Sequence, residues 1–372
     1  MIPDSGSAVL ETVKIQKLRT SAYTVPTDAP ESDGTLEWNS TTLVLVEVEA
    51  GNNTGIGYTY GDASIASFIQ KNLVSIVQEA NAMDIPAIYR YMLASIRNEG
   101  NCGMAYMAVS AVDNALWDLK GKLLNLSLAA LVGTVREEVP VYGSGGFTSY
   151  SDKKLCEQLG GWADQGFTKV KMKIGRDPGA DINRVKIARQ SIGDKTDLMI
   201  DANGAYDAKT AIRTSEIVAE YGVSWFEEPV SSDNLSGLKF IRDHVPSSIN
   251  IAAGEYGYSL PYFTAMLSHQ AVDILQADAT RCGGITGFLK AGYLCEAHSL
   301  PFSFHCAPAL HLHAAAALNS FYVGEYFHDH VRIENMFFDG VIQPVAGKLK
   351  PDRSRPGLGL EFKYPDAAKY KL

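Results

Sequence analysis

KVKMK (169–173), DLMID (197–201) and VSWFE (223–227) are short apolar runs, each closed by a polar residue: Lys173, Asp201 and Glu227. The pattern continues through INIAAGE (249–255), VDILQAD (272–278), LPFSFH (300–305) and SFYVGE (320–325), closed by Glu255, Asp278, His305 and Glu325. Successive closing residues are one strand–helix unit apart. Amphipathic stretches such as DINRVKIARQSIG (181–193) and DAKTAIRTSEIVAEYG (207–222) lie between them. Short apolar strands alternating with helices describe a parallel sheet covered on both faces. Closed into a barrel, such strands bring their C-terminal ends together on one face. The spacing therefore predicts an α/β chain with a (β/α)7β barrel over 136–330. Its strands are expected near 139–142, 168–173, 197–201, 223–227, 250–254, 272–276, 301–304 and 321–324, and the seven closing residues should meet in one pocket.

The preceding residues read differently. The alternating run TTLVLVEVEA (41–50), with segments 11–18 and 55–62, predicts strands. SIASFIQKNLVSIVQEA (64–80), PAIYRYMLASIRN (86–98) and MAYMAVSAVDNALWDLKGKLL (104–124) carry helical periodicity. Residues 1–135 are thus expected to form an α+β capping domain. The stretch 20–40, rich in Pro, Asp, Ser and Thr, reads as a loop. The tail 331–372, with DG and PG turn signals, is expected to return to that domain.

Bulk properties narrow the partners. The 372-residue chain is 46% hydrophobic and 20% charged, with a formal net charge of −9. Without a basic block, that balance argues against nucleic acid or an anionic membrane. No apolar run reaches the roughly 18 residues of a membrane span, and MIPDSGSAVLETVK (1–14) has no basic or apolar leader region. The five scattered cysteines form no CxxC. This favours neither a disulfide scaffold nor a zinc site, and a cytoplasmic protein is expected. Cys306 beside His305 reads as a small buried side chain.

Asp201, Glu227 and Glu255 fall on three successive strand ends. A single such acid would be a helix N-cap or a solvated loop residue. Three on strands about 4.8 Å apart converge, and they need something positive between them. All-oxygen ligation favours Mg²⁺, one ion per site. Lys171 and Lys173 share strand parity; two ammonium groups in one pocket would depress each other's pKa, tuning Lys173 toward a base. Asp278 and His305 end neighbouring strands, where a carboxylate would fix the imidazole tautomer. Glu325 has no cation near it in sequence; kept protonated, it could donate a hydrogen bond to a substrate oxygen. By strand alternation Glu228 should point away from Glu227. His311 and His313 fall in the following helix and read as structural. Bases on both sides of a metal suit removal of a proton α to a carboxylate, with the cation stabilising the enediolate.

The whole chain resembles the enolase superfamily, and within it the mandelate racemase-like subgroup. AVDNALWDLKGK (111–122) is similar to the family's capping helix, KMKIG (171–175) to its K-x-K strand, and DAN (201–203), FEEP (226–229) and AAGE (252–255) to its metal-ligand strands. DATRCGGITG (278–287), SFH (303–305) and GEYF (324–327) resemble the strands of its dyad and its carboxylate-binding acid, and PGLGLE (356–361) its C-terminal return. The resemblance implies Mg²⁺-dependent racemisation, epimerisation or dehydration of a small carboxylic acid, and it allows a homo-oligomer. Asn203 stands where one dehydratase group has a histidine, so that base is missing. No lysine lies near Asp278, unlike muconate-lactonizing relatives. Ser127 replaces a frequent proline.

In the family the capping domain sets specificity. Residues 20–70 here hold no Lys or Arg, but hold Asp28, Glu31, Asp33, Glu37 and Asp62 with Tyr23, Thr27, Trp38, Tyr58 and Tyr60. That surface repels extra negative charge, which predicts a mono-acid sugar (an aldonate) as substrate. Asn203, Arg281, Tyr23 and Trp38 are the expected substrate contacts. Arg176 or Arg281 could instead clamp a second carboxylate and favour a diacid. A racemase, a lactone isomerase and a non-catalytic relative are the other readings the resemblance leaves open.

Overall fold

The computed structural model describes residues 12–372. Eight parallel strands close a barrel: β4 Val139–Gly145, β5 Lys169–Lys173, β6 Asp197–Asp201, β7 Val223–Glu227, β8 Asn250–Ala253, β9 Ile274–Ala277, β10 Phe302–Phe304 and β11 Phe321–Phe327. They pair in chain order, and β11 pairs with β4 to complete the ring. The connecting helices are α6 Asp152–Asp164, α7 Pro178–Ile192, α8 Ala208–Ala219, α9 Leu235–Arg242, α10 Leu260–Ser268, α11 Gly284–Ala297 and α12 Pro308–Ala315. Strand alternation sorts side chains into two sets. Tyr142, Met199, Trp225, Ala252, Ile274 and Val323 form one buried cluster, a barrel-filling layer. Val170, Met172, Leu198, Ile200, Phe226 and Ile251 join the larger core beneath the helices. Two residues beyond that inner layer, the same parity brings Ser144, Asp201, Glu227, Gln276 and Glu325 inward.

Before the barrel, β1 Lys17–Ser32, β2 Glu37–Ala50 and β3 Asn53–Tyr60 form an antiparallel sheet. It is followed by α1 Ser64–Asn72, α2 Val74–Val77, α3 Ile85–Ser95, α4 Met104–Leu124 and α5 Leu128–Val132. The expected strand 11–18 begins outside the described residues and otherwise becomes the start of β1. The expected loop 20–40 is instead mostly strand. Tyr23 and Val25 are buried, and pairing jumps from Pro26↔Ser40 to Glu31↔Trp38 across a bulge. Prolines are tolerated there because β1 is an edge strand. The turn at 33–36 is closed by Asp33 Oδ1, which accepts from Thr35 N and Leu36 N, both at 2.6 Å.

Helix α4 ties this sheet to the barrel through buried polar residues. Asn114 Nδ2 donates to Ala279 O at 3.0 Å, and its Oδ1 accepts from Ile285 N at 2.9 Å. Asp113 accepts from Thr286 N at 2.9 Å, and Thr59 Oγ1 donates to Thr280 O at 2.7 Å. The loop after β9 is therefore held by the cap. The tail begins with α13 His328–Phe337 and β12 Phe338–Asp339, continues through β13 Lys348–Leu349 to β14 Glu361–Phe362, and ends in α14 Tyr364–Ala367 and a 3-10 turn over Ala368–Tyr370. It returns to the cap as expected: Tyr23 packs on Phe337 and Phe362 at 5.6 and 5.1 Å, and Asp118 Oδ1 accepts from Leu358 N at 2.7 Å. β13 also pairs antiparallel with β4.

One buried acid at this junction makes stability pH-dependent. Glu334 accepts from Tyr58 OH at 2.6 Å and Ala309 N at 3.2 Å, yet burial pushes it from 4.5 up to about 8. A raised folded-state pKa means that the protonated form is favoured in the fold. Its stabilisation is complete below pH 4.5 and is lost as pH rises through about 8. Glu334→Gln is expected to flatten that loss, as read by urea unfolding across this range. An unchanged pH profile would remove Glu334 as the cause.

Candidate active site

All seven closing residues reach one end of the barrel, but not all by simple alternation. Lys171 and Lys173 on β5 both point inward, as their parity requires. After Ala252, however, parity would deliver Gly254, not Glu255, to the interior. Gly254 has φ +135, and a Cβ there would lie 2.1 Å from Gln276 O. This glycine-only step shifts the register and turns Glu255 into the pocket.

One ligand atom each from Asp201, Glu227 and Glu255 lies within 4.8 Å of the others, and all three residues are buried. Asp201 accepts from Asn203 N at 2.8 Å and from Lys173 Nζ at 2.5 Å. Glu227 accepts from Lys171 Nζ at 2.6 Å and from Trp225 Nε1 at 3.0 Å. Glu255 Oε2 is buried without a hydrogen-bond partner; His305 Nε2 lies 3.3 Å from it, outside hydrogen-bonding geometry. An orphaned buried carboxylate oxygen beside two further acids fits a hard divalent cation bound through oxygen.

The lysines are not depressed as expected. Burial lowers Lys171, but Glu227, Glu325 and Asp201 outweigh it and raise the group well above its usual value. Lys173 is likewise raised, with Asp201 overcoming burial and the charge of Lys171. Sequence parity revealed the neighbouring ammonium but not the larger number of acids around both. Glu227 is pushed by burial, with repulsion from Asp201 and Glu325, up to about 8 against the pull of Lys171.

On the other side, His305 Nδ1 lies 2.7 Å from Asp278 Oδ2. Asp278 also accepts from Thr280 N at 2.7 Å. Although burial opposes its ionisation, His305 holds Asp278 well below the usual carboxylate range. Burial lowers His305, but Glu255 and Asp278 raise it overall. With Nδ1–H donated to Asp278, Nε2 is left to face the pocket. Cys306 Sγ lies 3.1 Å from that Nε2, and burial pushes its thiol well above the ordinary range; such a thiol is no nucleophile. His311 is structural: it accepts from Ala279 N at 2.7 Å, and its Nδ1 is 2.9 Å from Ala307 O. His313 is held between Ala129 N and Leu358 O, each at 3.2 Å.

Glu325 departs from expectation. Lys171 Nζ is 2.9 Å away, Ser144 Oγ donates at 2.6 Å and Cys306 N at 3.0 Å. Burial opposes its charge, but Lys171 and His305 hold it ionised, well below its usual value. It is an acceptor here, not the protonated donor expected. The cation it needed lies on β5, far off in sequence. Glu228 also departs. Its φ of +38 breaks the strand, so its carboxylate stays near Glu255 and Asp201, which with burial raise it well above its usual value. Its Oε1 is buried and unpaired.

A cavity of about 430 Å³ stands over these groups, lined by Lys173, Asn203, Glu255, Arg281 and His305 and roofed by Trp38 from the cap. Among the expected substrate contacts, Asn203, Arg281 and Trp38 line it. Tyr23 does not: it is 3% exposed and packed into the tail. Arg176 is outside as well, paired with Glu37 at 2.9 Å. Of the cap acids, Asp33 and Asp62 line the cavity; Asp28 pairs instead with His328 at 3.0 Å, and Glu31 accepts from Trp38 Nε1 at 2.8 Å. Tyr58 is spent on Glu334, whereas Tyr60 does reach the cavity. Tyr256, Phe327 and His330 also line it and were not foreseen. Tyr256 had a signal, its place directly after Glu255; the other two had none.

The enolase C-terminal domain-like family matches residues 154–367, and the mandelate racemase/muconate lactonizing enzyme N-terminal domain matches residues 20–133. A 3,6-anhydro-alpha-L-galactonate cycloisomerase from Streptomyces coelicolor is 32% identical, over 94% of this chain and 97% of its own. An L-talarate/galactarate dehydratase from Salmonella typhimurium is 29% identical over 93% and 88%. A mandelate racemase/muconate lactonizing enzyme-like protein from Rubrobacter xylanophilus superposes with TM-score 0.95 at 52% identity, over 96% of this chain and 100% of that one. A Streptomyces coelicolor racemase with bound magnesium gives TM-score 0.90 at 30% identity, over 96% and 100%. No helix among the described residues is long and apolar enough to cross a membrane.

Proposed function

Because the chain belongs to the mandelate racemase/muconate lactonizing enzyme family of the enolase superfamily, we propose that it is a Mg²⁺-dependent cytoplasmic enzyme that removes the α-proton of an acid sugar, dehydrating an aldonate. One observation carries this: Lys173, Glu255 and His305 line one cavity, while Asp201 and Glu227 cluster with Glu255 and Asp278 backs His305. Asp201, Glu227 and Glu255 would hold the metal. When bound, it neutralises the substrate carboxylate and stabilises the charge that develops as the α-proton leaves. With Asp201 engaged as a metal ligand, Lys173 would lose the contact that raises its pKa, shed its extra proton to solvent and then accept the α-proton at Nζ. Asp278 keeps Nε2 of His305 directed at the substrate. His305 gives its proton to the departing β-hydroxyl, the β C–O bond breaks, and water leaves behind an enol that becomes the 2-keto-3-deoxy acid. Lys171 stands between Glu227 and Glu325 as a fixed positive charge near the substrate carboxylate, and Glu325 positions both Lys171 and the backbone after His305. Trp38 covers the reacting end and excludes water.

The mono-acid reading rests on charge. The Lys and Arg that line the pocket are already engaged: Lys173 by Asp201, and Arg281 by Glu255 and Asp278 at 3.6 and 3.8 Å. The cap adds Asp33 and Asp62 rather than a counter-charge for a second carboxylate. A second reading, β-elimination that opens an anhydro ring, is favoured by the apolar wall of Leu36, Trp38 and Phe327, on which a sugar ring can lie. It uses the same bases. A screen of acid sugars with Mg²⁺, followed by NMR in D₂O, tests both. Aldonate dehydration should place deuterium at C3 of the product. Turnover of galactarate with no activity on any aldonate would overturn the mono-acid reading.

A further inference from the structure

Beside the reaction pocket lies a second cavity of about 640 Å³, and the two share Asn203 and Tyr256 as a common wall. Both volumes fall in the range of small-molecule sites, about 300–1,000 Å³. The second cavity runs outward over the loops that follow β7 and β8 and is bounded on the cap side by Thr35 and Asn101. Hydroxyl and amide groups dominate its lining, and none of its lining residues is Lys or Arg. Three polar atoms on its lining residues are buried without partners: Glu228 Oε1, Asn203 Oδ1 and the Tyr262 hydroxyl oxygen. Glu228 is 1% exposed. Buried polar atoms left unpaired beside a cavity call for partners that a ligand, an ion or water supplies.

From these features we propose that the second cavity is a neutral carbohydrate subsite, and that the natural substrate is an aldonate bearing a glycosyl unit. The proposal rests on the acid-sugar chemistry above and specifies what is attached to the reacting end. A glycosyl ring offers hydroxyl donors to Glu228 and Asn203 and hydroxyl acceptors to the surrounding Ser and Tyr groups. A second carboxylate would find no cation there.

The test compares kcat/KM for D-gluconate and D-galactonate with that for the aldobionates lactobionate, maltobionate and melibionate. At least one aldobionate should exceed its parent acid by about tenfold or more, as one or two good hydrogen bonds provide. Ser231→Trp and Asn101→Trp place bulk in the groove from opposite sides, at exposed positions where folding tolerates it. Each should erase the aldobionate advantage and leave aldonate turnover unchanged. Turnover of aldonates with no gain from any glycosyl unit overturns the subsite. So does an equal loss on both substrates, or a preference for an amine-bearing acid drawn by Glu228 and Asp233. Failure of every acid to exchange its α-proton defeats the acid-sugar reading itself, and the subsite with it.

Discussion

Replacing Lys173 with Ala is expected to lower α-proton exchange by about 10²–10⁴-fold, the usual contribution of a positioned base, while divalent-metal binding survives. The two effects should separate because Lys173 Nζ, which contacts Asp201 at 2.5 Å, would compete with a cation bound there. Removing the ammonium leaves Asp201 free for the metal. His305→Asn should behave differently. If His305 is the acid that protonates the leaving hydroxyl, this variant retains exchange of the α-proton at Lys173 but forms no dehydrated product. If the enzyme is a two-base racemase, exchange persists from one substrate epimer and disappears from the other. NMR in D₂O reads both outcomes on the same sample. Undiminished exchange in Lys173→Ala would remove that residue from the mechanism.

Chelation of divalent metal should abolish turnover, and Mg²⁺ should restore it. The same ion should stabilise the fold, since Asp201, Glu227 and Glu255 are buried close together and, although Lys171, Lys173 and Arg281 lie beside them, one carboxylate oxygen, Glu255 Oε2, has no hydrogen-bond partner. A ligand at 100 times its Kd adds about 2.7 kcal/mol to unfolding free energy, which thermal unfolding with and without Mg²⁺ will show. Glu255→Gln should lose both the activity and the Mg²⁺-dependent shift. It removes the charge of the one acid in the cluster with a carboxylate oxygen, Oε2, that has no hydrogen-bond partner, so the variant should fold at least as well without metal as the parent does. A Mg²⁺ shift of full size in Glu255→Gln would place the ion elsewhere.

The strands carrying Asp201, Glu227, Asp278, His305 and Glu325 were legible because a parallel strand buried on both faces has a local signature, and its last residue has a fixed place in the barrel. The identity of each closing residue was therefore enough to assemble the cluster. The stretch 20–40 was misread because its composition is that of a loop. It becomes strand by pairing with the apolar run 41–50 and by lying at a sheet edge where Pro26 costs no ladder bond. Tyr23 was expected in the pocket for the same reason, since nothing in the sequence shows Phe337 and Phe362 arriving to cover it.

The sequence by itself determined the barrel, the residues at its mouth and the family, because strand parity and run length are short-range properties of the chain. Only the tertiary structure decided which way Glu228 and Glu255 turn, since each depends on one residue with positive φ. It also decided the charge of the site. The pKa values of Lys171, Lys173 and Glu325 follow from neighbours within a few ångströms on other strands, and Coulomb interactions act through space, not along the sequence.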